Sequence, residues 1–375
     1  MIKLRKCLNY IIWNKLKYKI AILGANEPLK RFYIQAKELG YEIHAFSSPE
    51  GAVCKEYADH FYPISFKEKE TIAEICTKAG IDGVNCFSLE SAIESANYVT
   101  RILGKPVNSL QCELITKNKL TVKQQLKLHG VNTAAYETSD NANISLSFPV
   151  IVKPIDSGGS RGVTLVSRRE DLKEAVERAK SFTKTDWVLI EEFVEGSEYS
   201  VEYISNQGTH YFVALTEKVT TGPPNFVELE HHQPAKVDNK LLNRIKLFVE
   251  SVLNVLLVAF GPSHTEIKVN SLGKIFVIEI GLRMGGDMIT SDLVKLSTGY
   301  DFVDAVIKQS IGKFSKPIFK ENLCSGIYFL TKDTQDVMPY IKKANEFEEI
   351  KYSEIYNSDL LVATESNDRS GYFIY

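Results

Sequence analysis

Two glutamates define the chemistry this sequence can support. Glu266 and Glu279 fall within Gly261-Pro-Ser-His-Thr-Glu-Ile-Lys-Val-Asn-Ser-Leu-Gly-Lys-Ile-Phe-Val-Ile-Glu-Ile-Gly-Leu-Arg283. Residues 265–269 and 275–280 are rich in β-branched and apolar side chains, and Leu272-Gly273 between them predicts a β-hairpin. With Leu272 and Gly273 as a two-residue turn, Glu266 stands opposite Glu279 on one face. Facing carboxylates repel, by roughly 3 kcal/mol at about 5 Å and an effective dielectric near 20. A divalent cation between them relieves that cost. Oxygen-only ligation suits magnesium, which combines one or two carboxylates with substrate phosphates. His264 lies two residues before Glu266, on the same face, where it could exchange protons or hold a carboxylate by a hydrogen bond.

A second group has the makings of a phosphate site. Lys153 ends the apolar run Phe148-Pro-Val-Ile-Val-Lys-Pro154, and Ser157-Gly-Gly-Ser-Arg-Gly162 follows. Gly158, Gly159 and Gly162 let the backbone approach oxygens closely and aim N–H groups at them. Lys153 and Arg161 add positive charge, and Ser157 and Ser160 add hydroxyl donors. The lysine precedes the glycines, so the segment is not a P-loop.

These groups need elements to position them. Residues 19–26 read as a buried strand entering a turn at Gly24, followed by a helix over 29–39 and a strand over 42–46, a βαβ opening that implies a parallel sheet. A single glycine in that turn is not a dinucleotide fingerprint. A strand over 83–87 leads to Glu90 at its carboxyl end, where open α/β sheets place ligands; Glu90 is therefore a candidate substrate contact. A helix over 117–129, a strand over 163–166, a helix over 169–180 and strands around 187–192 and 199–204 follow. At 375 residues the chain calls for two or three domains. A net charge of −2 and the lack of any nucleic-acid motif argue against DNA or RNA partners. Six scattered cysteines without a CxxC pair read as reduced thiols, consistent with a cytoplasmic protein. The basic, apolar segment before Lys19 is too short in its apolar run to cross a membrane or serve as a signal peptide.

Taken in order along the chain, the motifs resemble those of the ATP-grasp superfamily of carboxylate–amine ligases, over about residues 19–310. The resemblance implies a role for each. Lys119, ahead of His129-Gly-Val, is similar to a first ATP-contacting lysine, and Lys153 to a second that lies over the phosphates. Residues 157–162 are similar to the mobile glycine-rich flap. Glu191, Glu192, Phe193 and Val194 resemble the hinge that reads adenine, and Glu198 the acid that takes the ribose hydroxyls. Glu266 and Glu279 match the metal-binding acids, and Arg283 the arginine that stabilises the transferred phosphate. Residues 216–234 resemble a segment near the substrate site, with Lys218 a candidate for a substrate carboxylate, Glu228 for an amine, and His231 a further contact. Asp287, after two glycines, is a candidate for orienting the amine. One position departs from the pattern. The family has Glu-x-Asn on the second metal strand; here it is Glu279-Ile-Gly281, so water or Asp287 would have to supply the missing ligand.

The resemblance implies a Rossmann-like α/β pre-ATP-grasp domain (19–112) after an N-terminal extension (1–18). A two-subdomain α+β ATP-grasp domain (113–310, lid about 145–188) and a small C-terminal β-containing subdomain (311–375) follow. The implied cofactors are ATP and Mg2+, with Mn2+ as a substitute. The implied reaction is phosphorylation of a carboxylate to an acyl phosphate and its capture by an amine, with an amino acid as one substrate. Alternatives are a carboxylase-like or purine-biosynthetic enzyme, or a non-catalytic ATP-binding module. The expected partners are small molecules, with a homodimer left open.

Overall fold

The structure is a computed structural model describing residues 17–140, 142–156, 158 and 161–375. Residues 1–16 of the expected extension, and Ser157, Gly159 and Ser160 of the glycine-rich segment, lie outside the described residues. The chain divides into two compact units. One runs to Val107 and takes in Phe302–Ser315; the other comprises Asn108–Asp301 and Lys316–Tyr375.

The N-terminal unit is built on four parallel strands: β1 (Lys19–Leu23), β2 (Glu42–Phe46), β3 (His60–Tyr62) and β4 (Gly83–Asn85), in the order β3-β2-β1-β4. Ile20 to Leu23 are fully buried, as a continuous apolar strand with both faces covered must be. Leu23, Phe46, Ile72, Cys76, Val84 and Val99 form its core with helices Lys69–Ala79 and Ile93–Ile102. Gly24 has φ +97°, and a Cβ there would lie 2.4 Å from Leu89 Cδ2, so the tight turn after β1 requires glycine. Glu90 opens a short 3₁₀ turn, Glu90–Ala92, just past the carboxyl end of β4.

The larger unit contains two antiparallel sheets. The smaller comprises β5 (Tyr136–Ser139), β6 (Val150–Pro154), β7 (Thr164–Val166) and β8 (Val188–Glu192), ordered β5-β8-β6-β7. Helix Leu172–Lys180 covers it, burying Leu172, Ala175, Val176 and Ala179 against Val150, Val152 and Ile190. The larger sheet comprises β9 (Ser197–Asn206), β10 (Thr209–Thr220), β11 (Glu228–Gln233), β12 (Phe260–Val269), β13 (Ile275–Gly281), β14 (Ser325–Leu330), β15 (Tyr352–Ile355) and β16 (Gly371–Ile374). Their order is β13-β12-β9-β10-β11-β14-β16-β15, so the C-terminal strands continue the same sheet.

The two faces of this sheet differ sharply. Helix Asn239–Val255 starts where Asp238 accepts a hydrogen bond from the Leu241 N–H at 2.7 Å. It buries Ile245, Val249, Val252 and Leu253, at helical spacing, with Tyr199, Val201, Tyr203, Ile267 and Val269. Strand alternation then sends Glu198, Ser200, Glu202, His264, Glu266 and Lys268 to the opposite face. No helix among the described residues is long and apolar enough to cross a membrane.

Candidate active site

The hairpin of β12 and β13 places Glu266 opposite Glu279 by a route that differs from the expected two-residue turn. Asn270 and Lys274 close a three-residue loop: the Asn270 N–H donates to the Lys274 carbonyl at 3.0 Å, and the Gly273 N–H to the Asn270 carbonyl at 2.8 Å. Gly273 takes φ +71°, the left-handed position such a loop needs. This extra residue moves the pairing by one, to Val269↔Ile275 and Ile267↔Val277. A bulge at Ile278 then restores the frame to Glu266↔Glu279. Without the bulge, a register shifted by one would send Glu279 to the other face.

Each acid has an ammonium beside it. Lys119 Nζ is 2.8 Å from Glu279 Oε1, and Lys218 Nζ is 2.9 Å from Glu266 Oε1. Lys119 is the first residue of helix Lys119–Leu128, which Asn118 and Thr121 close with a reciprocal capping box. Lys218 is buried among three carboxylates, with Glu198 at 3.2 Å and Glu228 at 3.5 Å besides Glu266. Burial alone would raise the Glu266 and Glu279 carboxyls, but Lys218 together with His264 at Glu266, and Lys119 together with Lys153 at Glu279, hold both below their usual value. Both sites are therefore anionic, and a cation already compensates each.

His264 Nδ1 is in short contact with Glu202 Oε1, and its Nε2 lies 3.3 Å from Glu266 Oε1. Burial would lower this imidazole; Glu202 and Glu266 outweigh it and raise it to about 9, so it is charged at neutral pH. Gly285 packs directly on this pair: a Cβ there would lie 2.7 Å from His264 Nδ1 and 2.8 Å from Glu202 Oε1.

The phosphate and hinge candidates meet at Glu191. Lys153 Nζ is 2.7 Å and Lys123 Nζ 3.2 Å from Glu191 Oε1, and all three side chains are buried. Lys123 lies one helical turn after Lys119, so one helix face supplies lysines to Glu279 and to Glu191. Burial, aided by Lys153, pushes Lys123 down to about 8. The Glu192 N–H bonds the Ala135 carbonyl at 2.8 Å, and the Phe193 N–H the Pro149 carbonyl at 3.1 Å. Val194 is buried. Phe193 lies under Lys268, 4.9 Å from Nζ to the ring centroid, and Lys268 is 3.6 Å from Glu198. Of the glycine-rich segment, Arg161 Nε donates to the Gly158 carbonyl at 3.1 Å, and Gly162 has φ +73°.

After β13 the chain makes a strained loop. Arg283 lies over Gly281: a Cβ at 281 would come 3.1 Å from Arg283 Nε and 3.3 Å from its Cγ. The space that an asparagine side chain would enter is thus bordered by the arginine. Asp287 and Met288 have φ of 48° and 58°, a region that costs non-glycine residues on the order of 1 kcal/mol each. The Asp287 carboxylate has partners of its own. Arg369 grips it with two hydrogen bonds, 2.8 and 2.9 Å, and His231 Nε2 lies 3.5 Å away. Burial would raise the Asp287 carboxyl, but Arg369 and His231 hold it well below the usual carboxylate range. Arg369 also sits 3.9 Å over the Phe329 ring, and nearby Ser366 donates to Glu228 at 3.4 Å. A buried π-helical turn, Ile289–Leu293, follows at once.

Among the described residues, the larger unit thus holds every candidate except Glu90, which belongs to the N-terminal unit. Four partners were missed from sequence. Lys123 has a signal, its i+4 spacing from Lys119, and Glu202 has one in its alternation with Glu198. Lys268 shares the β12 alternation with Glu266. Arg369 has none, since 82 residues separate it from Asp287.

Comparison with known proteins agrees with this architecture. Residues 146–291 match the ATP-grasp domain family. Over 261 residues the chain is 27% identical to a formate-dependent phosphoribosylglycinamide formyltransferase of Prochlorococcus marinus (strain MIT 9515), covering 64% of this chain and 63% of that protein. Over 296 residues it is 22% identical to an L-arginine-specific L-amino acid ligase of Bacillus subtilis, covering 74% and 71%. The crystal structure of an L-amino acid ligase from Bacillus licheniformis superposes with a TM-score of 0.80 at 21% identity, covering 96% of this chain and 93% of that one.

Proposed function

The chain belongs to the ATP-grasp superfamily, and from that premise we propose that it is an ATP-dependent ligase that joins a carboxylate to an amine, with an amino acid as one substrate. The observation that carries this reading is the opposition of Glu266 and Glu279, each neutralised by a lysine, in the unit that also holds Lys153 and Arg283. The two acids fit a divalent cation: they are oxygen donors on one face, anionic, and held as a pair despite their repulsion. Magnesium or manganese, when bound by Glu266 and Glu279, supplies neutralisation of phosphate oxygens.

The protein groups have defined work in this scheme. A substrate carboxylate oxygen attacks the γ-phosphorus of ATP, the bond to the β-phosphate oxygen breaks, and ADP leaves. The amine then attacks the acyl carbon of the acyl phosphate, phosphate departs with the electron pair, and the amine loses a proton. Lys153, released from Glu191 or shared with it, and Lys119, released from Glu279, bind phosphate oxygens. Arg283 stabilises the transferred phosphoryl group. Residues 157–162, through backbone N–H groups and Arg161, cover the phosphates and exclude water. Residues 191–194 receive the base and Glu198 the ribose. Glu228, Asp287, His231 and His264 form the acidic and imidazole wall toward the amine, with Lys218 as its internal countercharge. Glu90 is a further candidate contact at the carboxyl edge of the N-terminal sheet.

The test is ATP-dependent release of phosphate from the full chain with Mg2+, screened over amino-acid pairs. ADP and phosphate formed only when both a carboxylate and an amine are present support the reading. Absence of turnover with every pair, despite ATP binding, would leave an ATP-binding module. A second reading, action on a ribonucleotide amine, draws on the 27% identity to the formyltransferase. Turnover with phosphoribosylglycinamide and formate, and not with amino-acid pairs, would establish it instead.

A further inference from the structure

A second cluster with ligand chemistry lies in the N-terminal unit and takes no part in the scheme above. Glu42 and His44 alternate on β2 and so share a face, and His60 stands in register with His44 on the edge strand β3. His44 is buried, Glu42 half-buried and His60 exposed. The Nε2 atoms of both histidines converge on one oxygen, Glu42 Oε1, at 3.1 Å from His44 and 3.4 Å from His60. One ligand atom from each residue falls within 4.8 Å of the others.

We propose that Glu42, His44 and His60 bind one divalent transition-metal ion of the zinc type. Three observations carry this. First, the spacing fits. Bonds of about 2.0–2.1 Å in a tetrahedron separate neighbouring ligand atoms by about 3.3 Å, and the two nitrogen–oxygen separations lie on either side of that value. Second, the donor set of two imidazoles and a carboxylate suits zinc, cobalt or nickel, whereas magnesium and calcium prefer oxygen alone. Third, the buried histidine has an outer partner: His44 Nδ1 lies 3.1 Å from the Tyr62 hydroxyl. With the metal on Nε2, the Nδ1–H donates to that hydroxyl oxygen, which fixes the tautomer and the ring. His60 and His44 are stacked at 4.4 Å between centroids, so the exposed ring is already aligned.

The competing cation is farther from Glu42 than either imidazole. Lys19 Nζ is 4.0 Å from Glu42 Oε1 and donates instead to the Ala79 carbonyl at 3.1 Å. The exposed side of His60 gives an ion its entry path and leaves a fourth position for water. The ion would tie the three-residue edge strand β3 to β2.

The experiment uses the full chain, stripped with a chelator and titrated with Co2+ and Zn2+ alone. Cobalt is followed by its visible d–d absorption, zinc by competition with a chromophoric chelator. The expected result is one equivalent of zinc, a four-coordinate cobalt spectrum, and joint shifts of the His44 and His60 ring resonances. His60→Ala, a change at an exposed position, should weaken binding by at least about tenfold, and Glu279→Gln should leave it unchanged. The inference is overturned if the wild-type chain takes up no zinc. It is equally overturned if His60→Ala binds as well as wild type, or if Glu279→Gln removes the equivalent. Ring resonances of the wild-type chain that stay fixed on zinc addition would overturn it without any variant. None of these outcomes depends on ligase turnover, so failure here and failure of the proposed activity are separable.

Discussion

The Glu266–Glu279 pair and the Glu42 cluster both set a carboxylate against groups on an adjacent strand, yet they are compensated differently. At the acid pair each carboxylate has an ammonium within 2.9 Å. At Glu42 the ammonium is 4.0 Å away, and two imidazole nitrogens are closer. Magnitudes explain the first arrangement. The Lys119–Glu279 contact is worth about 6 kcal/mol of Coulomb attraction at an effective dielectric near 20, before desolvation, against roughly 3 kcal/mol of repulsion between two acids about 5 Å apart. Resident lysines therefore hold the pair together, and because ammonium groups sit on flexible stems they can move to phosphate oxygens when a cation takes their place. The Glu42 cluster has only the longer Lys19 ion pair in that role. Its nitrogen donors are rigid rings, which select a metal by ligand type. On the two proposals above, one region would exchange cations during a reaction and the other would retain one.

The largest effect should come from removing an acid. Glu279→Gln should lower turnover by about a thousandfold or more, the scale of losing a preorganised charge in a phosphoryl-transfer site. Steady-state phosphate release checks it; near-normal turnover would end the metal assignment of Glu279. Next is the resident cation. Lys119→Met leaves Glu279 without its partner, so the unfolding free energy without magnesium should drop by about 1–3 kcal/mol. Magnesium should recover most of that loss, while changing wild type less. Denaturant unfolding with and without Mg2+ reads this directly, and an equal magnesium effect in both proteins would contradict the stand-in role.

A smaller effect is expected at the clamp on the loop after β13. Arg369→Ala should cost about 2 kcal/mol, less than a fully buried pair because Asp287 is 30% exposed. The pH dependence follows from the depressed Asp287 carboxyl. A depressed carboxylate stabilises above its unfolded pKa near 4, and that contribution is lost as pH falls through the folded value. The difference between wild type and Arg369→Ala should therefore be full at neutral pH and shrink below about pH 4. A difference in melting temperature that is constant from pH 7 to pH 3 would show that the pair contributes nothing.

How far the sequence spoke depends on the range of the interaction. β2 is found at 42–46 as its periodicity predicts, because a local apolar run decides it. The strand read over 83–87 ends at Asn85, and the helix read over 169–180 is α-helical only from Leu172, a 3₁₀ turn at Arg169–Asp171 taking its start. The opposition of Glu266 and Glu279 was legible although the turn was not. A three-residue loop and a one-residue bulge are each invisible to alternation, and their shifts cancel. The lysines at 119 and 123 follow from helix spacing, but their partners lie in two different sheets, which no local pattern encodes. Arg369 is the extreme case: its role depends on three C-terminal strands extending the same sheet that carries Asp287's neighbours.

The smallest predicted effect tests what holds the acid pair in register. The Glu42 cluster relies on a three-residue parallel edge strand, whereas the acids ride on a hairpin whose inner strand, β12, pairs with β9 from Phe260 to Val269. If β9 and the bulge at Ile278 hold the frame, the turn is dispensable for chemistry. Gly273→Ala should then cost only about 1 kcal/mol, the strain of φ +71° in a residue with a Cβ. The added methyl would meet only Arg244 NH1, at 3.3 Å, the far end of a side chain that can move. Turnover at saturating substrate should stay within about twofold of wild type, since surface turns far from the reacting atoms carry little of the stabilisation. A loss approaching that of Glu279→Gln would mean that the three-residue loop sets the register, and that Glu279 leaves the polar face when the loop is disturbed.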